Sequence, residues 1–252
     1  MSRIWPIFLI LVVLLACKKK KSEAEVSPPT IAAPAPPVAS GPCASGRSED
    51  PSKQEMQPVL TAFKAKQYEE TQKLLDALLQ RHANSATLQV WRGDASLFSF
   101  QSSRKNKEKY LAVARDALEF YKKAKELHND GCKLPEVEEY YLHYDAALAH
   151  LRLDSADGAL AELEPAFKVW SNSAQLPYTI ARAHCIKKDV DKCYDNFEKT
   201  LKLAKSLQRP KFLRTHYSLD DWIRRSKRQS EFPLLRKDPR YKTLLKEIRD
   251  ED

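Results

Sequence analysis

Glycine is scarce in this chain, five among 252 residues, and methionine scarcer still, at two. A loop that cradles phosphate needs flexible backbone close to the ligand, so so little glycine weighs against a nucleotide-binding role. There is no GxSxG elbow, no phosphate loop, no HExxH and no CxxC. Paired carboxylates are missing too: Glu138-Glu139 and Asp220-Asp221 are sequence neighbours, and neighbours diverge on a helix. No apolar run reaches the roughly 20 residues a spanning helix needs. The longest, Ile4 to Ala16, has 13. These absences predict a protein that is not an enzyme and needs no cofactor.

What the N-terminus has instead is Arg3, the short apolar run, then Leu14-Leu15-Ala16-Cys17 and four lysines, Lys18 to Lys21. The layout is that of a cleaved signal peptide. Its end resembles the lipobox of bacterial lipoproteins, with leucine at −3, a small residue at −1 and cysteine at +1. The resemblance implies removal of residues 1–16 and acylation of Cys17. It implies a cell-envelope location, and lysine rather than aspartate at +2 implies the outer membrane, facing the periplasm. More than one acyl chain makes such anchoring stable. The expected contacts are the bilayer through Cys17 and other envelope proteins. Behind a signal peptide nucleic acid is not expected.

From residue 17 to 51 the chain turns to Pro, Ala and Ser with little apolar periodicity. Such a segment buries too little surface to offset its ordering entropy and reads as an extended spacer. Residues 52–252 read as helix after helix.

Two segments within that region align at an offset of 34 residues: Tyr144 with Tyr178, Ala147 with Ala181, His150 with His184, Ala159 with Cys193, Leu163 with Phe197, Ala166 with Thr200. Val59 and Gly93 extend the register backward, again 34 apart, and Leu75, Leu78, Ala117, Tyr121 and Ala124 fall at matching places. The second unit is longer by 12 residues around QSSRKNKEK, read as lengthened helices with an exposed turn, and eight more around DGCKLPEV precede the third. A 34-residue period is that of the tetratricopeptide repeat. The region 52–204 resembles about four such units, and 205–252 resembles the helices that close bacterial tetratricopeptide arrays. The expected fold class is all-α: a solenoid of antiparallel helix pairs with capping helices. Asp238 and Pro239 predict the start of a closing helix, and Ser218 with Asp221 a near capping box.

The resemblance implies a groove lined by the first helix of each unit. Carried over residue by residue, its walls are Val90, Asp94 and Phe98; Tyr141, Tyr144, Leu148 and Arg152; and Gln175, Tyr178, Arg182 and Ile186. The function it implies is a scaffold or adaptor in secretin or pilus, outer-membrane or peptidoglycan assembly. A reading from another class is a metal-dependent hydrolase or ligand-binding receptor, with His143, His150 and Asp145 sharing a metal. His150 and His184 share a repeat position, which favours packing for both.

Four cysteines remain beyond Cys17. Cys185 and Cys193 flank one helix–helix turn and are a candidate disulfide, the alternative being two buried thiols; Cys43 with Cys132 is then the remaining pairing. Charge is uneven. Lys199 to Lys242 holds 14 Lys or Arg against four Asp or Glu within a chain of net charge +9. Arg224, Arg225, Lys227 and Arg228 form the densest part, suited to anionic lipid or an acidic protein, or simply to solvation.

Overall fold

A computed structural model describes residues 43, 50–99, 106–206 and 217–250. The leader, Cys17, most of the spacer and the QSSRK part of the insertion lie outside the described residues. Among the described residues there are eleven helices and no strand. They are α1 (Lys53–Lys64), α2 (Tyr68–Arg81), α3 (Ala86–Phe98), α4 (Lys107–Asn129), α5 (Glu136–Arg152), α6 (Ala156–Val169), α7 (Gln175–Ile186), α8 (Val190–Ser206), α9 (Leu219–Arg228), α10 (Pro233–Lys237) and α11 (Pro239–Asp250). No helix among the described residues is long and apolar enough to cross a membrane.

Each helix from α1 to α8 packs on the next, and α3, α5 and α7 also touch in succession. The 34-residue register explains the closeness. Ala147, Ala159, Ala166, Ala181, Cys193 and Thr200 are fully buried, and Leu163 and Phe197 fill the spaces between them. Small side chains let helix axes approach, and one large residue per unit closes the remaining gap. In the second unit Gly93 does this most sharply. A Cβ there would sit 2.5 Å from Cε1 of the buried Tyr121. The insertion lengthens α4 to 23 residues and leaves α3 at 13, so only one of the two expected long helices forms.

The turns repeat as well. Lys66, Asp154 and Lys188 carry positive φ, at 59°, 54° and 62°. Asp154 and Lys188 are 34 residues apart, and Lys66 precedes Asp154 by two periods plus the two insertions. At each turn the next amide reaches back five residues: Gln67 N–H to the Ala62 carbonyl (2.9 Å), Ser155 to His150 (2.9 Å), Asp189 to His184 (3.0 Å). This is the helix C-cap that glycine usually serves. After α4, Gly131 takes that place, and Cys132 N–H bonds the Leu127 carbonyl. A side chain in the left-handed region costs on the order of 1 kcal/mol. Lys188→Gly should therefore raise stability by about 0.5–1 kcal/mol, seen as a small upward shift of the thermal midpoint. An unchanged or lower midpoint would show that the turn carries no strain.

At the C-terminal end the expected punctuation is present. Ser218 and Asp221 form a full capping box on α9. Asp238 Oδ1 accepts the Arg240 amide at the start of α11, and Tyr241, Leu244 and Ile248 are buried. They join Trp222, Phe232 and Leu235 in a cluster with Phe197 and Leu201 of α8, so the last helix pair does not end in open apolar surface.

The spacer is shorter than its composition suggests. Cys43 is buried and disulfide-bonded to Cys132, 89 residues on, in the cluster that holds Ala86, Tyr121 and Leu134. Asp50 accepts hydrogen bonds from Ser85 Oγ (2.7 Å) and Thr87 Oγ1 (3.0 Å) at the head of α3. The chain is thus joined to the helical body by residue 43 rather than residue 52. Cys185 and Cys193 are also bonded, across the α7–α8 turn with Cα atoms 5.2 Å apart.

Candidate functional site

The site expected from the repeat register is the face made by α3, α5 and α7. Its middle is built by α5. Tyr140, Tyr141 and Tyr144 sit within one turn, with Tyr140 stacked on Tyr144 at 5.7 Å and edge-on to Trp170 at 5.9 Å. Tyr140 is buried and donates to Ser173 Oγ (3.1 Å), which fixes the connection before α7. Tyr144 is only half-buried, yet burial, with Asp145 nearby, pushes its hydroxyl up to about 12. Arg152, at the end of α5, donates to the Leu97 carbonyl and lies 5.8 Å from the Tyr110 ring. Burial pulls its guanidinium down to about 10. Both side chains are partly buried, and burial is the main influence on each.

The face is not open along its whole length. Of the eleven expected wall residues, Val90, Asp94, Tyr141, Gln175 and Tyr178 are buried and offer a partner no surface. In the second unit the reason is Tyr121. Its hydroxyl donates to Asp94 Oδ1 (2.9 Å), so α3 turns Val90 and Asp94 toward α4. Phe98 instead joins Phe63 and Tyr68, at 6.0 and 6.4 Å.

In the fourth unit the reason is the closing segment. Trp222 and Phe232 pack on Tyr178 at 4.5 and 5.3 Å. Glu231 Oε1 accepts from Arg182 Nη2 (2.6 Å) and Nε (3.1 Å). Burial alone would raise the Glu231 carboxyl. The Arg182 guanidinium and donors from Ser230 and Gln229 outweigh burial and hold it at about 2. Arg182 is therefore committed to an internal ion pair and is not an open groove contact. The residues left with solvent contact are Phe98, Tyr144, Leu148, Arg152 and Ile186, together with the paired Arg182.

Neither Glu231 nor Trp222 stands out in the sequence. Glu231 lies 49 positions from Arg182. No local spacing joins them; the apolar content of the closing helices is the one signal that they pack somewhere.

The metal arrangement does not form. At about 100° per residue Asp145 lies roughly 200° around α5 from His143. His143 Nδ1 meets Glu162 Oε2 at 3.0 Å. His150 packs over Gly158, where an added Cβ would lie 2.5 Å from its Nδ1. Among the described residues no group of three His, Cys, Asp or Glu is placed to hold a metal.

The basic stretch divides. Arg224 pairs with Asp221, and Lys227 and Arg228 are exposed. Arg225 turns inward, its guanidinium 4.2 Å above the Tyr217 ring and 5.7 Å from Trp222. The indole and phenol faces hold it as a cation–π contact, so it adds less to the outer surface than its exposed neighbours. Comparison with known proteins adds no identity: no family model matches the chain, and no curated protein matches it.

Proposed function

We propose that the chain is a lipid-anchored envelope protein whose tetratricopeptide-like array docks a protein partner through the third-unit part of the α3–α5–α7 face. The observation that carries this reading is the partial exposure of an aromatic, an aliphatic and an arginine side chain on one stretch of α5. Tyr144, Leu148 and Arg152 keep solvent contact, whereas Asp94 in the second unit is covered by Tyr121, and Tyr178 and Arg182 in the fourth by Trp222 and Glu231. Aromatic and arginine side chains in such a position carry large contact energies. The repeating small residues, the 34-residue turn register and the capped last pair support a tetratricopeptide-like solenoid. The two disulfides suit an oxidising compartment such as the periplasm. The mechanism is recruitment: Cys17 acylation holds the array near the bilayer, and the array raises a partner's local concentration there.

In-cell crosslinking, with a photoreactive residue in place of Leu148, tests the docking site. We expect a discrete crosslinked species that falls at least tenfold in Tyr144→Ala/Arg152→Gln, with the thermal melt of that variant monitored alongside. A crosslink that persists in a folded variant would move the site elsewhere. Labelled palmitate incorporation should vanish in Cys17→Ser, and labelling that persists would remove the anchor.

A further inference from the structure

The outer surface of the closing helices carries a charge pattern that the docking face does not use. α9 and α11 lie side by side in opposite directions. Asp220, at the start of α9, meets Arg249, at the end of α11, at 3.4 Å. Ser226, near the end of α9, meets Tyr241, at the start of α11, through their hydroxyls at 2.7 Å. This register sets Lys227 of α9 across from Lys242 of α11.

Each helix buries one face, Trp222, Ile223 and Ser226 on α9 and Tyr241, Leu244 and Ile248 on α11. The opposite faces hold Arg224, Lys227 and Arg228, and Lys242, Lys246 and Arg249, all exposed. The i, i+3, i+4 spacing in the first set and i, i+4, i+7 in the second keep each set on one side. Arg224 and Arg249 are offset by Asp221 and Asp220. Lys227, Arg228, Lys242 and Lys246 form no ion pair among the described residues.

We propose that this two-helix cationic face rests on anionic phospholipid headgroups. A partner protein is the weaker match, because protein interfaces centre on a buried, charge-depleted core. Here no large apolar side chain is exposed; among the described residues the one large apolar side chain well exposed to solvent is Phe167, on α6. With nothing to insert, the face binds by charge alone and its attraction is screened by salt. The choice of a bilayer rests on the anchoring reading, since a lipid on Cys17 keeps one within reach of the tether. Bound this way, the closing helices would lie on the membrane and fix how the array is presented.

The test is flotation of residues 17–252, the chain left by removal of the leader, carrying Cys17→Ser, which cannot be acylated. The vesicles are phosphatidylcholine alone, or phosphatidylcholine mixed with phosphatidylglycerol. It is compared with the same chain bearing Lys227→Gln/Arg228→Gln/Lys242→Gln/Lys246→Gln. Each basic side chain near an anionic surface is worth roughly fivefold in partitioning, so the four together should change it by about 100-fold or more. We expect the parent chain to prefer the anionic vesicles and to lose that preference at about 1 M salt, where the screening length is about 3 Å. The quadruple variant should bind the anionic vesicles about 100-fold more weakly at low salt while melting like the parent, the residual preference being that of Lys18–Lys21. A variant that partitions like the parent would overturn the proposal, and so would binding indifferent to vesicle charge. Either result would leave an acidic protein as the user of this face. Palmitate labelling is read separately, so failure of the anchor and failure of this face are told apart.

Discussion

Cys43→Ser/Cys132→Ser should lose about 4 kcal/mol of unfolding free energy and melt about 8–16 °C lower than the parent. The bond closes 89 residues of chain. In the chain-entropy account a loop of that size restricts the unfolded ensemble by about 4–5 kcal/mol. The native contribution adds to this, because both cysteines sit in a cluster with Ala86, Tyr121 and Leu134, where a serine hydroxyl would be buried. The matched control is Cys185→Ser/Cys193→Ser. It opens a loop of only eight residues and should cost about 2.5 kcal/mol by the same account. Denaturant titration of both variants decides the origin of the effect. Equal losses would mean that native packing, not loop closure, sets the contribution. A loss under about 1 kcal/mol in the first pair would mean that the bond fastens nothing the helices do not already hold.

This bond also bears on function. Cleavage before Cys17 would leave residues 17–42 between the lipid and the first fixed point of the fold. At about 3.1 Å per residue that is about 80 Å at full extension. Composition alone places the join at residue 52. The sequence of the spacer looks uniform across residue 43, and one cysteine among prolines and alanines does not announce that the chain has already docked.

Legibility in the sequence followed the range of the interactions. Repeat positions were legible because each depends on a neighbour one helical turn or one hairpin away. Ala147, Ala181, Leu163 and Phe197 are buried where the 34-residue register puts them. Caps at Ser218 and Asp238 were legible for the same reason. The wall residues were legible only in part. The register names the face of the helix, but what covers that face comes from elsewhere in the chain. Tyr121 covers Asp94 from 27 residues away, and Glu231 covers Arg182 from 49. Gly93 illustrates the limit. Its repeat position was readable, but not the aromatic ring that presses on its Cα and turns α3 from groove wall into core. For the metal trio the spacing was legible and misapplied, since the same helical angle that pairs His143 with His150 sends Asp145 to the other side.

Arg182→Met should lose about 3–5 kcal/mol, because it leaves the Glu231 carboxylate buried without its counter-charge. Both side chains are only slightly exposed, at 14% and 12%, so solvent screens the pair little. Two further changes make the cause readable. Glu231→Gln in the same background removes the stranded charge and should restore most of the loss, since replacing both members of a buried pair is often nearly neutral. The second is pH. The Glu231 carboxyl titrates at about 2 in the folded chain against 4.5 as its ordinary value. The unfolded chain therefore takes up this proton first. The stability the pair contributes is complete above about pH 4.5 and is lost as pH falls toward 2, on the order of 3 kcal/mol in all. Arg182→Met should flatten that acid limb, and Lys188→Gly should leave its shape unchanged. If Arg182→Met keeps the full acid limb, the pair is not its source, and Tyr178 packing on Trp222 and Phe232 holds the closing helices to the array by itself. If the limb flattens and Glu231→Gln rescues, the seal over the fourth unit is electrostatic. A partner that presents its own carboxylate to Arg182 would then have to displace Glu231 before it could reach α7.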